Sequence, residues 1–243
     1  MNKKILSVIS ALALTMLSAD VYAYTDTDKS EYKNAIDFLT ELKIVSGDNN
    51  KFMPEKTLSR AEAAKMLLYA AGYTDDDFEN TYVNSETEGA YITPLEYTDL
   101  TAEHWSYKIM LCADSMGIID GFDDGTARPD DEVTYVQFLT MTVRALGYGM
   151  YADDEGGYPL GYCNRAKTLK LTAEIAEKEL TEPLARDEAA QVLYNALDVP
   201  LVAVCGYRFD NGELVPEYTV CDGTGEEPRQ TLLTNLTKKD DGR

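Results

Sequence analysis

Arg60 and Arg186 are the side chains best placed for chemistry in this 243-residue chain. Each follows the residue at which a helix would be capped, Ser59 in one case and Ala185 in the other. The first turn of a helix presents main-chain N–H groups and the positive end of its dipole, which suit a carboxylate. A guanidinium at the first helical position adds a planar fork matched to the two carboxylate oxygens. This placement points to holding an anion, with ion pairing between neighbouring segments as the competing use. Other chemistry has less behind it. His104 is the sole histidine, and no nucleophile or metal ligand is read beside it. Carboxylates are abundant, yet abundance on an acidic chain nominates no glycosidase pair. Asp120–Gly125 is acidic, but Phe122 occupies a place where a calcium loop needs an oxygen ligand. No catalytic residue, metal site or cofactor is therefore expected.

The helices that must carry these arginines are repeated. Residues 52–73 are answered by residues 127–148, with Pro54 on Pro129, Gly72 on Gly147 and Tyr73 on Tyr148. A shorter echo over 183–197 puts Arg186 where Arg60 stands, while Tyr135 holds that place in the middle copy. Ser59 with Glu62, and Thr134 with Gln137, have the spacing of a reciprocal helix cap. Ala185 with Glu188 keeps half of it. Ahead of the first capped helix, Ala35, Ile36, Phe38, Leu39 and Leu42 have helical spacing with one buried stripe. Gly47 suits the left-handed turn beyond that helix, and Gly121 is its counterpart. Each copy thus reads as helix, glycine turn, short extended piece and capped helix. Such repeats pack as stacked or ring-arranged modules, a usual architecture for a binding surface.

Bulk properties narrow the partners. Residues 1–23 read as a signal peptide: Lys3 and Lys4 precede a short apolar run, and Val21-Tyr22-Ala23 offers a cleavage site. Nothing later is apolar enough to span a membrane. The formal charge of -21 becomes -22 once Lys3, Lys4 and Asp20 are removed. Such a surface repels nucleic acid and anionic lipid. Acidic connectors at 74–96 and 149–157 read as exposed loops. Around Asn211-Gly212 the chain reads as a β-hairpin. A two-residue loop there pairs Cys205 with Tyr218 and Val202 with Cys221, so the sulfurs do not face and reduced thiols are expected. The polar tail beyond it looks like the edge of something larger.

Leu58-Ser-Arg-Ala-Glu62, Tyr97-Thr-Asp99 with His104-Trp105, Gly117–Pro129 and Ala189–Leu197 together resemble the S-layer homology (SLH) repeat. The likeness covers roughly residues 24–198. It implies a mainly α fold: three helical repeats in a pseudo-threefold arrangement around a central three-helix bundle, followed by a small C-terminal β-hairpin. The corresponding divisions are 1–23 signal peptide, 24–73 first repeat, 74–96 connector, 97–148 second repeat, 149–198 degenerate third repeat, and 199–243 hairpin and tail. The resemblance also implies non-covalent anchoring of an exported protein at the cell wall or S-layer. Its ligand would be an acidic, often pyruvylated, secondary cell-wall polysaccharide linked to peptidoglycan and bound between repeats. A degenerate scaffold for other surface proteins is the alternative. The residues implied in binding are Arg60, Arg186, Asp26 and Asp99, with Trp105 as a sugar platform and Gly47 and Gly121 shaping the groove. Tyr135 in place of arginine implies that the second repeat has lost its anion anchor.

Overall fold

The structure is a computed structural model that describes residues 24–81, 97–210, 213–225 and 228–240. The expected signal peptide, residues 82–96 of the connector and the Asn211-Gly212 turn lie outside the described residues.

Helix α1, Lys33–Glu41, buries the stripe Ala35, Ile36, Phe38 and Leu39. Helix α2, Arg60–Ala70, differs in kind, because eight of its eleven residues are buried, Arg60 among them. A helix apolar on nearly every side needs neighbours all round it. Helix α3 is Asp75–Thr81, α4 Tyr107–Ser115, α5 Tyr135–Ala145, α6 Gly149–Asp154, α7 Leu160–Thr168 and α8 Arg186–Ala196. Helices α2, α5 and α8 pack against one another pairwise. Around them α4 packs on α2, α7 on α5 and α1 on α8, so each outer helix leans on the central helix of a different segment.

The extended pieces before the central helices carry main-chain groups that no helix can satisfy, and they satisfy each other. Leu58 N–H donates to the Leu184 carbonyl at 3.2 Å, Leu184 N–H to Val133 at 3.0 Å, and Val133 N–H to Leu58 at 2.9 Å. This ring of bonds is closed. All three side chains are fully buried beneath it. Ser59 and Thr134 make the reciprocal caps with Glu62 and Gln137, whereas at Ala185 only the Glu188 carboxylate accepts, from the Ala185 N–H at 3.0 Å.

Three expectations need correction. Gly47 is not the left-handed residue beyond α1. Lys43 is, with φ of 57°, and its counterpart beyond α4 is Gly117 at 66°. Gly47 and Gly121 are glycine for another reason: a Cβ on either would collide with the ring of Tyr24 or Tyr97, respectively. The acidic connectors also hold helices. Asp75, Asp76 and Asp77 occupy the favourable first turn of α3, and Phe78 is buried against Tyr69 and Tyr73. In the other connector α6 buries Ala152.

The hairpin forms from β1, Val202–Asp210, and antiparallel β2, Glu213–Val220. Its register matches a two-residue loop from Asp210↔Glu213 to Gly206↔Glu217. A bulge between Val204 and Gly206 then shifts it, so Val204 faces Tyr218 and Val202 faces Val220. Among the described residues no disulfide joins the four cysteines. Val202 N–H donates to the Leu146 carbonyl at 3.0 Å, fixing the ribbon's base to the end of α5. The tail is docked rather than loose. Its helix α9, Leu232–Asp240, buries Leu232 and Leu233 and packs on α2.

Candidate functional site

Each signature arginine crosses from its own segment into the loop of another. Arg60 Nε donates to the Ala127 carbonyl at 3.1 Å and Nη2 donates to the Asp120 carbonyl, both in the loop beyond α4. Arg186 repeats this in the loop beyond α1, with Nε on the Phe52 carbonyl and Nη2 on the Ser46 carbonyl, each at 3.0 Å. Both guanidinium groups lie over rings, Arg60 at 5.0 Å from the Phe122 centroid and Arg186 at 4.8 Å from that of Phe52. Desolvation lowers the pKa of both; for Arg60 it outweighs the opposing pull of Tyr97 and Asp120, and for Arg186 that of Glu62 and Tyr24. They remain charged and have lost hydration that a ligand would otherwise have to strip away.

The expected exposed amides are absent from this arrangement. Arg60 N–H donates to the Asp131 carbonyl at 2.9 Å, Ala61 N–H to Pro129 at 2.9 Å, and Glu62 N–H to Ser59 Oγ at 3.2 Å. The start of α8 is likewise consumed, by Lys56, Pro54 and the Asp187 side chain. Neighbouring segments, not solvent, satisfy these helix ends. An anion placed there would meet only the guanidinium N–H groups left over, since two of the five on each arginine are engaged among the described residues.

Asp26 and Asp99 brace these loops. Asp26 accepts from Phe52 N–H and Met53 N–H, both at 2.9 Å, and Asp99 accepts from Ala127 N–H and Arg128 N–H at 2.7 and 2.8 Å. Desolvation tends to raise the Asp26 pKa, but the bonds from Phe52 and Met53 overcome it and the value is lowered. Each aspartate therefore orients a carbonyl that an arginine grips. Trp105 is 55% exposed, with its ring 6.0 Å from that of His104. It does not line either cavity described next.

The cavity beside Arg60 has a volume of about 260 Å³ and is lined by Phe122, Gln137, Thr140, Arg144 and Tyr158 as well as Arg60. Of these six, sequence reading had marked only Arg60 as a site residue. Both Arg60 and Arg128 lie over the Phe122 ring, the Arg128 guanidinium at 4.0 Å from the centroid. Arg144 pairs with the Asp120 carboxylate. Tyr158 comes from segment 149–198, outside the first two segments. Arg128, just before Pro129, reaches the neighbourhood of Arg60. It also pairs with Asp124, whose carboxyl is held down at about 2 by its bonds to Thr126 and Arg128.

The larger cavity at the start of α8, about 790 Å³, has a different character. Lys29, Lys56 and Lys178 line it, but so do Asp26, Glu31, Glu55, Glu182, Asp187 and Glu188. Lys56 is spent on Glu62 and Lys178 on Glu188, each at 2.7 Å. Such a lining opposes an acidic ligand, so of the two cavities only the one at Arg60 suits an anion. Tyr135 is buried at the start of α5, and burial raises its hydroxyl to about 12.

His104 has neighbours after all. Nδ1 lies 2.8 Å from Ser106 Oγ and Nε2 3.1 Å from Asp130 Oδ2. These are the residue types of a hydrolytic triad. Ser106, however, is fully buried just ahead of α4 and cannot meet a substrate. The trio fastens the loop ahead of α4 instead.

Residues 23–64 and 96–139 match the family model of the S-layer homology domain. The chain is 29% identical over 250 residues to the middle cell wall protein of Brevibacillus brevis, covering 98% of this chain and 21% of that protein. It is 29% identical over 222 residues to the surface layer protein of Brevibacillus choshinensis, covering 86% of this chain and 18% of that one. Over 95 residues it is 30% identical to the cellulosome-anchoring protein of Acetivibrio thermocellus, covering 39% and 19% of the two chains. The chain spans about a fifth of the length of the first two relatives. The two segments that match the S-layer homology domain hold the capped starts of α2 and α5, the crossing Arg60 and the tyrosine-packed Gly47 and Gly121.

Proposed function

We propose that the chain holds an exported protein at the bacterial cell surface by gripping an acidic secondary cell-wall polysaccharide in the groove at Arg60. Segments 24–73, 97–148 and 149–198 act as three units of one module, related by a pseudo-threefold axis along the central helices. The single observation that carries the binding reading is the Arg60 cavity. There a buried guanidinium with unspent donors adjoins Gln137, Thr140 and Tyr158, which supply amide and hydroxyl groups for a sugar. A carboxylate on the glycan, such as a pyruvyl ketal, matches the planar fork. The strongly negative chain opposes an acidic polymer at long range, but salt screens beyond about 10 Å, so the local cation decides. Arg186 has a bracing role in this reading: both of its bonds hold main-chain carbonyls of the loop beyond α1, and it lines neither of the two cavities.

Cosedimentation with purified wall sacculi tests this. Retention should be strong on intact sacculi, and weak both when the pyruvyl groups are removed and when Arg60 is replaced by Ala. Equal retention on depyruvylated sacculi would overturn the acidic-ligand reading. Capture by a surface protein from stripped walls would favour the scaffold instead.

A further inference from the structure

The Arg60 cavity does not end at Arg144. A second cavity of about 350 Å³ lies on the other side of the Asp120–Arg144 pair, which forms part of the wall of both. Its further lining includes Asp153, Tyr162 and, from the hairpin, Tyr218. None of these three lies in the segments matched by the family model.

The chemistry of this second space is opposite to that of the first. Arg144 has no charge to spare, because one terminal nitrogen is paired with Asp120. Its Nε donates to the Tyr162 hydroxyl at 3.2 Å, which donates to Asp153 Oδ1 at 3.0 Å. With the Arg144 charge balanced by Asp120, the lining is dominated by the carboxylates of Asp120 and Asp153 and an aromatic ring, Tyr218 being 40% exposed. Such a lining accepts hydrogen bonds, repels anions and offers a flat apolar face. An uncharged pyranose, with hydroxyls that donate and a C–H face that stacks, answers all three properties.

The hairpin's position is built in. Val202 N–H is bonded to the Leu146 carbonyl, and Gly147 leaves no room for a Cβ against the Val202 carbonyl. These contacts seat the ribbon on the chain just beyond Arg144. Val204 pairs with Tyr218 and Tyr207 with Pro216, so the two tyrosines share one face of the ribbon as diagonal neighbours. Tyr207 is 62% exposed and extends the aromatic surface outward.

We infer that the cavity bounded by Asp120, Asp153, Tyr162 and Tyr218 is a second glycan subsite, which takes a neutral pyranose residue next to the acid-bearing sugar held at Arg60. This rests on the acidic-glycan reading above. The groove would then read the order of charges along the polymer.

Titration calorimetry with two probes tests it: the methyl glycoside of a 4,6-O-pyruvyl hexose, and the disaccharide in which a neutral hexose replaces the methyl group. The disaccharide should bind about tenfold more tightly, the scale of one well-formed aromatic contact. Tyr218→Ala should erase that advantage without changing the monosaccharide's affinity, and Tyr218→Phe should keep it. An equal affinity for both probes, or an advantage that survives Tyr218→Ala, overturns the subsite. A neutral disaccharide, followed by NMR, separates the two readings. Shifts at Asp153 and Tyr218 while acidic sugars fail to bind would preserve the subsite and remove the Arg60 reading. No response to any sugar removes both.

Discussion

Arg60 Nε and the main-chain carbonyl of Ala127 meet at 3.1 Å across the boundary between segments 24–73 and 97–148. The bond gives the arginine a second duty, because its removal leaves buried carbonyl oxygens without a donor. Arg60→Ala should therefore lower unfolding free energy by about 1–3 kcal/mol, in addition to weakening wall retention. Arg60→Lys keeps the charge but cannot reach both carbonyls from one point, and should recover only part of either property. Urea unfolding beside sacculus cosedimentation would separate the two effects; full stability in Arg60→Ala would count against the bracing role.

Asp26 should make stability depend on acid. Its folded pKa is lowered below an unfolded value of about 3.9, so its contribution is fully present above that pH and disappears as the pH falls through the folded value. Asp26→Asn should consequently be less stable than the parent at neutral pH, with the difference shrinking as the pH falls below the unfolded value. Chemical denaturation of both proteins from pH 2 to 7 would show it. A difference independent of pH would contradict it.

Ala185 offers a gain. It sits in the extended conformation of a helix-capping residue, with Glu188 already accepting from its N–H. Ala185→Ser supplies the missing acceptor and should stabilise by about 1 kcal/mol. Thermal unfolding should show a raised midpoint, while the same change at the already complete Ser59 cap has no analogue.

The capped helices and the hairpin were legible because their signals are local. Ser59 with Glu62 lies within one turn, and Asn211-Gly212 marks its own turn. What joins them was not legible. The main-chain donors of Arg60 and Ala61 look free in sequence, since their acceptors, Asp131 and Pro129, stand in another segment. Arg128 has a φ of 50° and its guanidinium lies over Phe122, a placement that nothing in its local sequence announces. The repeat located Arg60 and Arg186 as equivalents, yet the cavity beside Arg60 includes Tyr158, which the repeat does not supply.

Gly121 is a further point of test. Gly121→Ala must push the ring of Tyr97 aside, and that ring's hydroxyl donates to Asp114 at 2.7 Å. Overpacking of this kind costs about 1–3 kcal/mol. Because Gly121 also lines the Arg60 cavity, glycan affinity should fall with stability. Adding Tyr97→Ala should restore room and recover part of both, which a double-mutant cycle would detect.

The circuit through Leu58, Val133 and Leu184 has a consequence for how such a module can be shortened. Every link donates to one neighbour and accepts from the other, so no pair of links closes by itself. A fragment ending before residue 180 would strand Leu58 N–H and the Val133 carbonyl together. The smallest autonomous piece is then expected to hold all three stretches, because removing any one leaves main-chain groups of the other two unsatisfied.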